Sequence, residues 1–131
     1  MMMRWLLGFL VSLVAGHWGT RAFVSRLRDH VDSLRPESQS VTWRGLDVVP
    51  GWVTGLVERT FFTIAVAFGG PFAIVAMIAW LGAKMATDWN RPQAERQDPA
   101  GAFTALLGGL VSMFFALVGG LICRGPTAVA P

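Results

Sequence analysis

The chain is short of the residues that soluble chemistry relies on. Charged residues fill 15% of its 131 positions, where a soluble domain carries about a quarter. There is one cysteine, Cys123, and there are two histidines, His17 and His30. A single thiol permits no intrachain disulfide and no thiolate metal cluster. The sequence contains no His-Glu-x-x-His, no nucleophile elbow and no Walker loop. Carboxylates paired at catalytic spacing are missing too. No catalytic residue, metal site or cofactor is expected, and the chain reads as a non-enzyme.

A basic run is also absent. Ten of the eleven cations are arginine and the formal charge is +3, but the cations stand singly beside apolar segments. That pattern reads as control of membrane topology and argues against nucleic acid as a partner.

What the sequence does have is hydrophobicity, 53% of residues, gathered into long runs. Thr60 to Ala83 and Ala100 to Cys123 are each 24 residues without a charge. At 1.5 Å per residue each covers about 36 Å, enough for a hydrocarbon core of about 30 Å. These runs exclude a disordered chain or a soluble enzyme and predict an integral membrane protein.

A shorter run, Trp5 to Thr20, follows Arg4 and continues into a polar stretch without a helix breaker. There Phe23, Leu27, Val31 and Leu34 recur at helical spacing. The expectation for 1–35 is a short membrane helix with an amphipathic extension lying on the surface, stopped by Pro36. A cleaved signal peptide is the rival, since Val14-Ala15-Gly16 resembles a cleavage site. Six arginines downstream (Arg21, Arg26, Arg28, Arg35, Arg44 and Arg59) resist export and favour the uncleaved helix.

The rest divides into a polar loop at 36–50, an interfacial turn and membrane helix at 51–89, a loop at 90–99, a membrane helix at 100–124 and a tail at 125–131. Gly69-Gly70-Pro71 lies mid-run, so the second helix is expected to kink at Pro71. The fold class is an all-α membrane protein with two to three transmembrane helices. Arginine counts put the first loop and the C-terminus in the cytoplasm, and loop 90–99 outside. A bacterial inner membrane is the expected location.

Glu58 and Arg59 head the candidate site residues, because charge at the edge of an apolar run is costly and often functional. Arg59 is expected to snorkel toward lipid phosphates, with Glu58 capping or pairing. The functional alternative has Glu58 bind a cation or proton, joined by His17 in the first run. Ser12 and Ser112 are expected to bond their own backbone. Cys123, beside Arg124, is expected to be a buried or idle thiol, with acylation as the alternative.

Small residues at four-residue spacing carry the packing signal. Gly108, Ser112, Ala116 and Gly120 form a ridge on the last helix, and Ala65, Gly69 and Ala73 form one on the second. Such ridges let helix backbones approach closely in lipid. They predict packing within the chain, self-association as a homo-oligomer, or docking on a larger membrane protein, with the bilayer as common partner. The expected function is structural or accessory; the alternative is a small holin- or channel-like pore using Glu58.

Overall fold

The computed structural model describes residues 2–33, 51–69, 71–89 and 99–125, with side chains at all of these but 51, 87–89 and 99–102. They form four helices: α1 (Met2–Ser33), α2 (Gly51–Gly69), α3 (Pro71–Trp89) and α4 (Pro99–Arg124). The loops expected at 36–50 and 90–98, and the tail at 126–131, lie outside the described residues. Two helical segments, Met2–Ser33 and Phe103–Arg124, are long and apolar enough to cross a membrane; the apolar part of α3, Pro71–Ala86, is shorter.

The kink expected at Pro71 is a full reversal. Glu58 and Trp80 are 22 residues apart, a separation of about 33 Å along one continuous helix. Yet the Trp80 indole donates to the Glu58 carboxylate at 3.1 Å. Phe62 and Val66 of α2 share one core with Ala73 and Met77 of α3. Proline cannot donate its amide to the preceding turn, and two glycines before it weaken that turn further. The side-chain contacts then fold α3 back along α2.

Contact pairs fix the remaining directions. Arg59 meets Ser112, Thr63 meets the Ala116 carbonyl, and Val66 faces Gly120, so α2 runs parallel to α4. Gly8 faces Gly119 and Cys123, Gly16 faces Phe115, and Val24 faces Gly108, so α1 runs antiparallel to α4. Leu81 beside Gly109 makes α3 antiparallel to α4 as well. The result is an up-down-up-down four-helix bundle.

This topology corrects two expectations. The flanking helix ends Ser33, Gly51, Trp89 and Pro99 lie at the same end of the bundle, which does not fit the expected placing of loop 90–99 and the first loop on opposite sides. The extension of α1 does not turn onto a surface at Arg21, because Val24 still packs on α4. Its half-buried stripe is Val24, Leu27 and Val31, with Phe23 turned outward. Leu34 lies outside the described residues.

Within α1, Leu10–Ala15 is π-helical, and the reason is visible in the face it aligns. Gly8 and Gly16 both touch α4. Eight residues in a uniform α-helix would place them about 80° apart. The wide turn absorbs one residue and brings both glycines, with the fully buried Ser12 between them, onto one face. At the far end of α4, Gly125 takes φ +77° and donates its amide to the Leu121 carbonyl, a left-handed cap open to glycine.

Two outcomes follow from this geometry. In sealed vesicles, cysteines replacing Ser38 and Gln97 in a Cys123→Ser background label from the same side, and one replacing Ala128 labels from the other. Deleting Val14, exposed in the π segment, converts that turn to ordinary α-helix and leaves the melting temperature within a few degrees, whereas deleting the exposed Ala22 misaligns α1 and lowers it by about 10 °C or more.

Candidate functional site

The charged residues that the sequence singled out form a layer across the bundle. Arg59 and Glu58 are neighbours on α2, so their side chains leave the helix about 100° apart and serve different interfaces. Glu58, 8% exposed, turns to α3, where its Oε1 accepts from Trp80 Nε1 at 3.1 Å and from Lys84 Nζ at 2.8 Å. Trp80 and Lys84 are one turn apart on the same face, which lets both reach a single carboxylate.

Arg59, 4% exposed, turns to α1 and α4. Its Nη1 donates to Ser112 Oγ at 3.1 Å. The side chain crosses the bare face of Gly16, where a Cβ would stand 3.0 Å from its Cδ, and its guanidinium lies beside Gly55, one turn back along its own helix. Arg59 therefore bends back toward the loop end of the bundle but does so inside it. The expected outward snorkel to lipid phosphates is not what the side chain does, because Ser112 and the glycine faces receive it first.

One turn further into the bundle lies a second polar layer. Ser12 and Thr63, both fully buried, share a 2.6 Å hydrogen bond, and Thr63 Oγ1 also donates to the Ala116 carbonyl at 3.5 Å. Both expected lone hydroxyls, Ser12 and Ser112, thus bond across helices and not to their own backbone.

The ridge expected on α4 faces inward, whereas Ala65, Gly69 and Ala73 form no continuous ridge because the reversal at Pro71 divides them. Gly108 meets Val24, Ser112 meets Arg59, Ala116 is fully buried, and a Cβ on Gly120 would stand 2.5 Å from Val66 Cβ. On α2, Ala65 is half-buried, Ala73 joins the core from α3, and Gly69 is exposed. The glycines that the sequence reading passed over are Gly8, Gly16, Gly19 and Gly119, where α1 meets α4. Their signal was present as Gly8, Ser12 and Gly16 at four-residue spacing in the first run.

His17 is not brought into this layer. Its ring meets Trp18 edge on at 5.8 Å, and no hydrogen bond among the described residues ties it to Glu58 or Arg59. Cys123 is buried, with its Sγ against Gly8 and 3.9 Å from the Trp5 carbonyl. A buried thiol is not open to acylation, in line with the expected buried or idle thiol. Among the described residues no three metal-ligating side chains cluster.

No protein family, curated protein or solved structure matches this chain. The reading of the layer rests on its geometry. The side chain of Lys84 is 42% exposed and that of Glu58 is buried, so the pair sits between a surface and a buried ion pair in cost. Removing one partner strands a buried carboxylate. Lys84→Met is expected to destabilise the bundle by about 1–3 kcal/mol. Adding Glu58→Gln to it should restore about half of the loss, measured by thermal melts of tryptophan fluorescence in detergent. An additive double mutant would mean that the pair contributes nothing.

Proposed function

We propose that this chain is a small integral membrane protein with a structural or accessory role, acting by helix packing with a membrane partner or with copies of itself. The observation that carries this reading is the division of its surface. Polar groups and small residues lie on the inside of the bundle, while large apolar side chains face out: Leu6, Leu10, Val14, Phe68, Phe72 and Ile78 are all more than half exposed. An apolar exterior of this extent suits lipid or another membrane helix. Because the glycine ridge is consumed within the chain, any association uses this outer surface.

Arginine placement supports an orientation different from the one the sequence suggested. Arg21, Arg26 and Arg28 lie toward the loop end, where the connecting sequences 34–50 and 90–98 carry Arg35, Arg44, Arg91 and Arg96, and Arg4 and Arg124 lie toward the other. By the positive-inside rule the loop end faces the cytoplasm and Arg124 the opposite side. A coupled membrane such as the bacterial inner membrane suits that bias.

A second reading, a small oligomeric ion or proton pathway, has one observation in its favour: the Glu58 carboxylate lies inside the bundle among cations. Purification in mild detergent with native mass measurement separates the two. A stoichiometric complex with a larger membrane protein, or a discrete homo-oligomer without ion leak, supports the structural role. A homo-oligomer whose proton leak in vesicles falls severalfold with Glu58→Gln supports the pathway. A monomer with neither property overturns both.

A further inference from the structure

We propose that the outer groove between α3 and α4 holds an acyl chain of one bound glycerophospholipid, whose phosphate accepts a hydrogen bond from Lys84; this rests on the membrane reading above. The groove comes from the way α3 is docked. Its polar grip and its core residue Met77 are directed at α2, and toward the loop end Leu81 reaches Gly109 of α4. From that contact toward the reversal, a groove of about 310 Å³ lies between α3 and α4. Ile74, Ile78 and Leu81 line it from one side, and Leu110, Phe114 and Leu117 from the other. Met77 and Met113, both buried, form its floor. Every lining side chain is apolar, so a polar group placed inside would lose its hydrogen bonds and regain none.

Size decides between a helix and a hydrocarbon chain as occupant. From Ile74 to Leu81 the groove is about 10 Å long at the helical rise per residue. That length of helix, about 10–12 Å across with its side chains, fills on the order of 900 Å³. This is about three times the space present. A neighbouring helix would lie over the groove and leave its floor without contacts, which forfeits dispersion energy. A hydrocarbon chain enters it, and the groove runs along the helices, as lipid chains run in a bilayer. Methionine side chains at the floor adapt to such an occupant.

Charge sets the headgroup end. Lys84 stands seven residues beyond Met77 on α3, two turns along and within about 20° of the same face. It therefore overlooks the groove from the loop end. Its side chain is partly exposed, and the 2.8 Å bond to Glu58 uses one of three N–H donors. The opposite wall, α4, carries no charge from Ala100 to Cys123. A lysine just past the end of an apolar surface is well placed for a lipid phosphate. The cation and the groove together select a phospholipid, because free phosphate would use the cation alone.

The test uses the purified full chain in a neutral detergent, stripped of lipid and titrated with phosphatidylglycerol or phosphatidylcholine. Native mass spectra are expected to show one retained phospholipid per chain, with a saturable rise in melting temperature. Ile78→Trp, which fills the groove from an exposed position, should weaken retention about tenfold. Leu6→Trp, equally exposed but on α1, should leave it unchanged. Glu58→Gln combined with Lys84→Gln removes the cation without stranding the carboxylate, and should weaken retention about tenfold. Retention that is equal in all variants, or a response to glycerol phosphate as large as that to lipid, overturns the site. So does a lipid-free homo-oligomer that Ile78→Trp dissociates, which would assign the groove to a second copy. A chain that stays soluble and monodisperse without detergent overturns the membrane reading itself, whereas absence of lipid binding in a detergent-dependent chain overturns this site alone.

Discussion

The grip of α3 on the Glu58 carboxylate is the contact from which the rest of the architecture follows. It is made across the reversal, by Trp80 and Lys84, and it decides that Thr60 to Ala83 is two antiparallel helices. Without it, the weak turn at Gly69-Gly70-Pro71 is only a flexible point in an apolar run. With it, α2 is sandwiched between α3 on one side and α1 with α4 on the other. The carboxylate is thereby satisfied while the adjacent guanidinium is turned toward the glycine-lined seam. Placing opposite charges next to each other on one helix sends them to different interfaces: Glu58 meets two donors on α3, and Arg59 meets the Ser112 hydroxyl.

The seam between α1, α2 and α4 shows how close packing and polar bonding depend on each other in this bundle. Gly8, Gly16, Gly119 and Gly120 bring backbones near enough for the short side chains of Ser12 and Thr63 to meet at 2.6 Å. Larger residues at the glycines would separate the helices and leave those hydroxyls buried without partners, at a cost of about 1–3 kcal/mol each. The π-helical turn of α1 serves the same end, since it keeps Gly8, Ser12 and Gly16 on one face over a span in which a regular helix would rotate them apart.

Much of this was legible in the sequence. Helix content, the apolar character of the runs, the weak point at Pro71 and the ridge Gly108, Ser112, Ala116 and Gly120 all read directly from composition and spacing. The direction of the chain after Pro71 did not, because a kink and a reversal share the same local signal, and only the long-range contact between Glu58 and Lys84 distinguishes them. The arginine count misled for the same reason: counting cations on alternate sides presupposes how many times the chain crosses. Arg59 was recognised as unusual, but its inward course depends on the bare faces of Gly16 and Gly55, which periodicity alone does not assign to a partner.

The reversal also bears on how such a chain enters a bilayer. The segment between α2 and α3, Phe68-Gly69-Gly70-Pro71-Phe72, carries no charge, and its two aromatic rings are exposed; on the proposed membrane reading it would be the leading tip of a hairpin. The helix ends Ser33, Gly51, Trp89 and Pro99 lie together at the other end. A hairpin with an uncharged tip can be inserted as a unit, its two helices covering each other's polar face before either meets lipid. On that reading Glu58 and Lys84 would enter as a contacting pair and not as isolated ions.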